Sequence, residues 1–220
     1  MHLLVRWLLG PLVRFVYRPE VHGSRNVPRR GPVIIASNHR AAVDTAVIAL
    51  TARRPVSFLG KAEYFVGRSL KGRMLASFLS ALGYVPVDRT NAKAALAALH
   101  AARTVLEADG AFAIYPEGTR SLDGRLHRGH TGVAALALDT GAVVVPVALV
   151  GTERVQPVGA RFPRLRRVTI RYGEPLDFSR YDGLSGSNVI RRAVTDEIMY
   201  AISSLSEQEY VDKYHQRPAA

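Results

Sequence analysis

The sequence contains no cysteine, which excludes disulfide bonds, thiolate metal sites and a cysteine nucleophile. Acidic residues are also scarce: 18 Asp and Glu stand against 30 Lys and Arg, so the formal net charge is +12 at pH 7. A chain this basic is attracted to polyanions, and the charge alone fits a nucleic acid, an anionic membrane or a phosphorylated substrate. With 220 residues, 48% of them hydrophobic, the chain is long enough for one well-packed domain.

The sequence also lacks an apolar run long enough to cross a bilayer. Its most apolar stretch, residues 1–17, is interrupted by Arg6 and Arg14 and falls short of the about 20 residues that a spanning helix needs. The recurring arginines and the lack of a small-residue cleavage site disfavour a signal peptide. Wound as a helix, the stretch places on one arc the apolar residues Leu4, Leu8, Leu9, Leu12, Phe15 and Val16. Residues 1–22 are therefore predicted to form an amphipathic helix, which either lies at an anionic membrane surface or packs on the domain core.

Helical and strand patterns alternate along the rest of the chain, without an internal repeat or a linker. Strands are predicted at 32–37, 56–59, 84–87, 111–115, 142–149 and 168–172, and helices at 44–52, 70–82, 91–109, 131–140 and 188–205. This alternation predicts one α/β domain over residues 23–210, with a mixed, largely parallel central sheet flanked by helices, and a tail over 211–220. Pro146, inside an otherwise buried strand pattern, predicts a bulge or an edge position.

A histidine and an aspartate follow the first buried strand pattern. In residues 38–44 (NHRAAVD), His39 comes directly after the strand, where α/β sheets usually build ligand chemistry. Residues five apart lie about 140° apart on a helix, so His39 is expected on the loop and Asp44 in the first turns of the next helix. The carboxylate can then hold one ring N–H and leave the other nitrogen to accept a proton. Taken alone, so short a pattern favours an ordinary loop histidine beside a helix N-terminal carboxylate.

Residues 115–121 (YPEGTRS) repeat this arrangement after another predicted strand. Gly118 permits close approach of the backbone, and Arg120 offers a planar guanidinium suited to phosphate oxygens. These features are typical of an anion-binding turn. By itself the heptad also fits a surface turn with a weak exposed pair between Glu117 and Arg120.

Further charged residues follow two other predicted strands, Lys61 after 56–59 and Asp88 with Arg89 after 84–87. The Asp88 and Arg89 corner fits either a functional role or a structural ion pair. In residue type, order and spacing, the chain resembles the four motif blocks of glycerolipid acyltransferases, through residues 38–44, 83–89, 116–121 and 145–147. The nearest resemblance is to bacterial 1-acyl-glycerol-3-phosphate acyltransferases. It extends from about residue 33 to residue 148, with a looser echo at 171–175.

The resemblance implies transfer of a fatty acyl group from acyl-CoA to the free hydroxyl of 1-acyl-glycerol-3-phosphate, giving phosphatidic acid. His39 would act as the general base, and Asp44 would hold its ring. The implied substrate-binding residues are Lys61 and Arg120, which would clamp the acceptor phosphate, and Glu117, Gly118 and Thr119, which would shape the glycerol pocket. No acyl-enzyme is required, because the chain has no cysteine and no serine in a nucleophile-elbow pattern.

The same resemblance implies the partners and the location of the chain. Acyl-CoA would be a co-substrate, lysophosphatidic acid or a related lipid would be the acceptor, and no cofactor is expected. The protein would lie peripherally or monotopically on the cytoplasmic face of the cell membrane. Residues 161–167 (RFPRLRR) interleave arginine with Phe162 and Leu165, which fits a second contact with an anionic membrane and fits a solvated loop equally well.

Two details depart from the family pattern or from the implied chemistry. Tyr115 stands where relatives usually carry phenylalanine, and its hydroxyl is expected to need a partner. His127 and His130, three positions apart, suggest a metal site. The sequence offers no third ligand at a suitable spacing, so no metal is predicted.

Two rival functions stay open at the level of the sequence. A basic module that binds nucleic acid or lipid without catalysis would share the charge and the interleaved aromatic residues. Against nucleic acid, no helix-turn-helix, RRM or zinc pattern is present, and the acidic Asp44 and Glu117 would repel phosphate. The other rival keeps the chemistry and changes the acceptor to glycerol 3-phosphate, a mannoside glycolipid or a lyso-aminolipid.

Overall fold

The computed structural model describes residues 17–65, 69–81, 83–87, 94–157, 159–160 and 162–215. Most of the predicted N-terminal helix, the corner of Asp88 and Arg89, and the predicted helix cap Asn91 lie outside these ranges. The strands are β1 (Glu20–His22), β2 (Val33–Ser37), β3 (Phe58–Lys61), β4 (Tyr84–Val87), β5 (Ala111–Ile114), β6 (Leu126–His127), β7 (Val143–Val150), β8 (Thr169–Tyr172) and β9 (Tyr210–Val211). The α-helices are α1 (Asp44–Thr51), α2 (Leu70–Ala81), α3 (Ala94–Glu107), α4 (Gly132–Thr140), α5 (Thr152–Val155) and α6 (Asn188–Ser206).

A five-stranded sheet with the order β1-β8-β7-β2-β5 forms the centre of the domain. Strand β2 pairs in parallel with both β5 and β7, so that Val33 lies opposite Ala111 on one side and Val143 on the other. Strands β7 and β8 are antiparallel, and β1 is parallel to β8. The parallel pair β3 and β4 extends the sheet beyond β5 through a bridge from Ser57 to Phe112. The prediction of an α/β domain with a mixed, largely parallel sheet is confirmed.

Strand β2 shows why the sheet is covered on both faces. Its residues 33–36 are fully buried, as expected of a continuous apolar run in a parallel sheet. Ile34 packs into a cluster with α3, α4 and α6, whereas Ile35 packs into a second cluster with α1. Burying one isoleucine side chain contributes about 1.5–3 kcal/mol, so packing on two faces fixes the strand that carries His39.

One predicted domain boundary, after residue 22, falls at the end of strand β1, and the other, after residue 210, falls inside strand β9. Strand β1 pairs with β8, so residues 20–22 belong to the central sheet and not to an N-terminal helix that ends at residue 22. Strand β9 pairs with β6, and the N–H of Arg128 donates to the carbonyl of Lys213 (3.1 Å), so the domain continues past residue 210. These strands have three and two residues, which is too short to leave a periodic pattern in the sequence.

Strand β3 begins two residues later than predicted, because its pairing with β4 starts at Phe58 opposite Tyr84. Lys61 is therefore the last residue of the strand, and it does not follow it as predicted. The side chain of Lys61 lies outside the described part of the chain.

Pro146 lies beside a bulge, which was one of the two predicted alternatives. It is not at an edge, because β7 is flanked by β2 and β8. The ladder between β7 and β8 ends at Val147 opposite Tyr172, and the next bridge joins Val144 to Leu176. Two residues of β7 thus face three of the neighbouring segment, and the proline sits where the ladder is already interrupted.

Within the ranges that the structure describes, no helix combines the length and the apolar character needed to cross a bilayer.

Candidate active site

The parallel strands β2, β5 and β7 bring three loops to one edge of the sheet. Their carboxyl ends, at Ser37, Ile114 and Val150, are the positions where α/β sheets build ligand sites. The N–H of Ser121, after β5, donates to the carbonyl of His39, after β2 (2.7 Å). The two heptads that the sequence singled out are therefore in direct contact.

His39 and Asp44 form a hydrogen-bonded pair. Nδ1 of His39 lies 2.8 Å from Oδ2 of Asp44, and the same oxygen accepts the N–H groups of Arg40 (2.6 Å) and Ala41 (2.9 Å). Asp44 is fully buried, whereas the His39 side chain is 19% exposed. An ionised carboxylate only accepts hydrogen bonds, so in the neutral imidazole Nδ1 carries the proton and Nε2 the lone pair. Chemically, this arrangement can take a proton from a bound hydroxyl group.

Tyr115 packs flat against the His39 ring. The ring centroids lie 3.9 Å apart and the planes differ by 11°. The Tyr115 hydroxyl lies 3.0 Å from Oγ1 of Thr45 on α1, so the partner that its polar end needs is present. Burial raises the pKa of the Tyr115 hydroxyl well above its ordinary value, and the Asp44 carboxylate adds to the shift. Tyr115 is therefore a neutral plate that holds the imidazole from one face.

Glu117 lies between His39 and His127. Its Oε1 accepts the N–H of His39 (3.4 Å), and its Oε2 accepts the N–H of His127 (2.9 Å). The side chain is 2% exposed. Burial raises the pKa of Glu117 to about 7, although the hydrogen bonds from His127 and His39 oppose the shift. Glu117 thus holds the two loops together through their main-chain N–H groups. These contacts indicate a structural role more than a role in lining the glycerol pocket.

Gly118, Thr119 and Arg120 complete the turn after β5. Gly118 has φ +73, and a Cβ there would lie 3.1 Å from Cδ2 of His130, so the position is suited to glycine. Thr119 is half-buried and Arg120 is exposed. Within the described residues, no ion pair or hydrogen bond engages the Arg120 side chain, which leaves its guanidinium available to an anion. Lys61 ends β3 at the same edge of the sheet.

Asn38 is a site residue whose role the sequence did not reveal. Its Nδ2 donates to the carbonyl of Leu149 (3.0 Å) and to Oε1 of Gln208 (2.7 Å), and its Oδ1 accepts the N–H of Leu149 (2.8 Å). Asn38 is 1% exposed. A buried amide needs partners, so an asparagine directly after a buried strand was the available signal. These bonds fasten the start of the His39 loop to β7.

An apolar groove lies along α1, and its walls include Val43, one residue before Asp44. It encloses about 170 Å³. Its walls are Tyr17, Pro19, Val43, Ala46, Val47, Leu50, Thr51, Val155, Pro163 and Val168. The groove lies beside the exposed segment 162–167, in which Phe162 is 74% and Leu165 is 70% exposed among exposed arginines.

His127 and His130, which lie three positions apart in the sequence, have different partners in the structure. His130 stacks on Tyr214, with ring centroids 4.7 Å apart. His127 faces Asp123 instead, with its Nε2 3.0 Å from Oδ1. Among the described residues, one group could hold a metal ion, and it consists of Asp123, His127 and His215.

The chain matches a family model described as Acyltransferase over residues 18–150. It is 30% identical over 145 residues to the chloroplastic 1-acyl-sn-glycerol-3-phosphate acyltransferase LPAT1 of Arabidopsis thaliana, covering 66% of this chain and 39% of that protein. It is 33% identical over 147 residues to a 1-acyl-sn-glycerol-3-phosphate acyltransferase of Borreliella burgdorferi, covering 67% of this chain and 54% of that protein. The chain thus spans roughly half the length of these relatives.

A solved structure shares the fold. The crystal structure of the 1-acyl-sn-glycerophosphate (LPA) acyltransferase PlsC from Thermotoga maritima superposes with a TM-score of 0.67 at 24% identity, covering 92% of this chain and 80% of that chain. The family model spans more than half of the present sequence and includes the His39 and Arg120 loops. The resemblance seen in the motif blocks is confirmed, and the chain belongs to the acyltransferase family.

Proposed function

We propose that this chain transfers a fatty acyl group from acyl-CoA to the free hydroxyl of 1-acyl-glycerol-3-phosphate, with His39 as general base and Asp44 as the residue that orients it. One observation carries the proposal: the His39 and Asp44 pair lies against the loop that presents the exposed Arg120. A proton acceptor and an anion-binding group thus share one edge of the sheet. The names and lengths of the matched regions support the same reaction class.

The proton route follows from the tautomer of His39. The acceptor hydroxyl oxygen attacks the thioester carbonyl carbon, and Nε2 of His39 takes the hydroxyl proton. The tetrahedral intermediate then collapses, the carbon–sulfur bond breaks, and the CoA sulfur leaves with the electron pair and takes the proton from the imidazolium. The products are an ester and a free thiol, and no covalent acyl-enzyme forms. Asp44 stabilises the transient positive charge on the ring.

The acceptor phosphate is assigned to Arg120 and Lys61. Arg120 is exposed and its guanidinium matches two phosphate oxygens at once, while Lys61 ends the neighbouring strand β3. Gly118 and Thr119 lie between the base and Arg120 in the sequence and would line the space for the glycerol part. Glu117 is proposed to act on this pocket indirectly, because its carboxylate holds the main chain of His39 and His127.

The apolar groove along α1 supports a lipid substrate. Its walls include Val43, one residue before Asp44, and Pro163 of the exposed segment 162–167. Phe162 and Leu165 project there among arginines, a composition suited to an anionic membrane surface, where each basic residue contributes about 1 kcal/mol. We assign the groove to the acyl chain and the segment to membrane contact. Residues 1–16 would add an amphipathic segment immediately before Tyr17, which lines the groove.

A panel of donors and acceptors tests this function. Purified full chain in anionic vesicles is offered acyl-CoA or acyl-carrier protein with each acceptor, and products are read by mass spectrometry. We expect phosphatidic acid from acyl-CoA and lysophosphatidic acid. Monoacylglycerol, the same acceptor without its phosphate, should give little product. Equal use of monoacylglycerol, or acylation only of glycerol 3-phosphate, a mannoside or a lyso-aminolipid, would overturn the assignment of the acceptor.

A further inference from the structure

Three potential metal ligands converge on the side of the domain where β6 and β9 pair. One donor atom each from Asp123, His127 and His215 lie within 4.8 Å of one another. The closest pair is Nε2 of His127 with the two carboxylate oxygens of Asp123, at 3.0 and 3.1 Å. The rings of His127 and His215 lie 4.5 Å apart between centroids, with planes tilted by 58°.

The fold, and not the local sequence, assembles this group. Asp123 lies on the loop before β6 and His127 is the last residue of that strand, whereas His215 comes from the segment after β9. That segment is held in place by the pairing of Leu126 with Tyr210 and by the hydrogen bond from Arg128 N–H to the Lys213 carbonyl (3.1 Å). The third ligand, which the sequence near His127 does not supply, therefore comes from the C-terminal part of the chain.

The donor set selects a class of cation. Two imidazole nitrogens and one carboxylate oxygen suit zinc and similar transition-metal ions, whereas magnesium and calcium prefer oxygen ligands throughout. Ligand atoms about 2.0–2.2 Å from one tetrahedral ion lie about 3.3–3.6 Å from each other. Asp123 and His127 already have this separation to within a few tenths of an ångström. Only the His215 side chain must close in, and it is half-buried near the end of the described chain.

Arg125 would compete with a cation for the Asp123 carboxylate, whereas Arg128 has a partner outside the group. Nε of Arg125 lies 3.0 Å from Oδ2 of Asp123, and the pair is partly exposed. Arg128 is paired with Asp212, with 3.4 Å between Nε and Oδ1. A partly exposed arginine pair of this kind is weak, so Arg125 can turn away when a metal takes the carboxylate.

We propose that Asp123, His127 and His215 bind one zinc-class divalent cation, which fastens the segment after β9 to the loop that follows the Arg120 turn. Three protein ligands leave the fourth position of a tetrahedral ion to water, and the role proposed for the ion is structural. Its link to the active site is the main chain of His127, whose N–H is held by Glu117 (2.9 Å). Metal binding would steady that contact.

The proposal is tested by zinc binding to the full chain, purified without a polyhistidine tag and stripped with a chelator. Calorimetry with ZnCl₂ is expected to show one ion per chain, and the Tm is expected to rise with zinc. Both effects should disappear in His215→Ala and Asp123→Asn. In His100→Ala, which removes an exposed histidine from α3, they should be unchanged.

The readout does not involve acyl transfer, so it can fail while the proposed function stands, and the reverse also holds. His215 lies outside the core, and His215→Ala is expected to fold as the unsubstituted chain does. Absence of zinc binding in the unsubstituted chain would overturn the proposal. Binding of equal stoichiometry and strength in His215→Ala would also overturn it, because the ion would then be held elsewhere.

Discussion

Two histidine–aspartate pairs of nearly equal length occur in this domain, and they present opposite ring nitrogens to their carboxylates. Nδ1 of His39 lies 2.8 Å from Asp44, whereas Nε2 of His127 lies 3.0 Å from Asp123. The nitrogen left over in the first pair is Nε2, on a ring that is partly exposed. In the second pair it is Nδ1, which is buried and has no hydrogen-bond partner among the described residues. Only the first can be reached by a substrate hydroxyl.

The surroundings of the two pairs also favour His39, and not His127, as the base. His39 lies at the carboxyl edge of the central sheet, is stacked on Tyr115 and faces the loop of Arg120. His127 lies in a two-stranded side sheet and faces His215. A histidine–aspartate distance therefore does not identify a base; the orientation of the ring and the neighbouring charges do. Glu117 joins both regions, because it accepts a main-chain N–H from each histidine.

Matched substitutions of the two aspartates should give the largest difference between the regions. In Asp44→Asn, the amide cannot hold the imidazolium or fix its tautomer, so we expect kcat to fall by about 10²-fold or more. Asp123→Asn should stay within about threefold of the unsubstituted chain. Initial rates with lysophosphatidic acid and acyl-CoA measure both. Equal losses in the two variants would remove the distinction between a catalytic and a structural pair.

Glu117→Gln should sharpen the role of the residue that joins the two pairs. Since the folded-state pKa of Glu117 is raised from 4.5 to about 7, folding favours the protonated form, and this contribution is full at low pH. As pH rises from 4.5 to 7, the unfolding free energy of the unsubstituted chain should fall by about 3 kcal/mol relative to Glu117→Gln, and the difference should then level off. Denaturant titrations at several pH values measure it. A difference in unfolding free energy that does not change with pH would contradict the raised pKa of Glu117.

Arg120→Ala should weaken acceptor binding on the His39 side alone. Losing charge-assisted hydrogen bonds to a phosphate costs about 1.5–3 kcal/mol, so we expect KM for lysophosphatidic acid to rise by about 10- to 100-fold with a smaller change in kcat. Arg103→Ala, which removes an exposed arginine from α3, is the matched control and should leave KM unchanged. An unaltered KM in Arg120→Ala would exclude the phosphate clamp.

Tyr115→Phe should have the smallest effect. The substitution keeps the plate against His39 and removes one hydrogen bond to Thr45, so we expect a loss of about 0.5–1.5 kcal/mol in stability and a change in kcat within a few-fold. Tyr115→Ala removes the plate and should lower kcat further. Thermal melts and initial rates together separate the two variants. Equal kcat values in Tyr115→Phe and Tyr115→Ala would show that stacking does not position the imidazole.

Several elements of the fold and one of the two pairs can be predicted from the sequence. The strands β2 and β7 and the helices α4 and α6 are predictable, because each has a long apolar run or a helical period bounded by turn residues. The His39 and Asp44 pair is also predictable, because both residues lie within one loop and the first turn of one helix. The contact between the two heptads follows from the parallel order of β2 and β5.

The remaining parts of the site depend on distant pairings. Asn38 contacts Gln208 across 170 positions, and His215 meets His127 only because the two-residue strands β6 and β9 pair. Such short strands carry no period, and neither contact leaves a local signal. The stacking of Tyr115 on His39 likewise depends on how closely β2 and β5 hold their loops.

The central claim is that His39, and not His127, takes the proton from the acceptor hydroxyl. It is tested most directly by single-turnover acyl transfer in vesicles with His39→Ala and His127→Ala, after circular dichroism has shown that both variants are folded. We predict that His39→Ala loses about 10²- to 10⁴-fold in the transfer rate, whereas His127→Ala stays within a few-fold of the unsubstituted chain. Transfer by His39→Ala within tenfold of the unsubstituted rate would contradict the account.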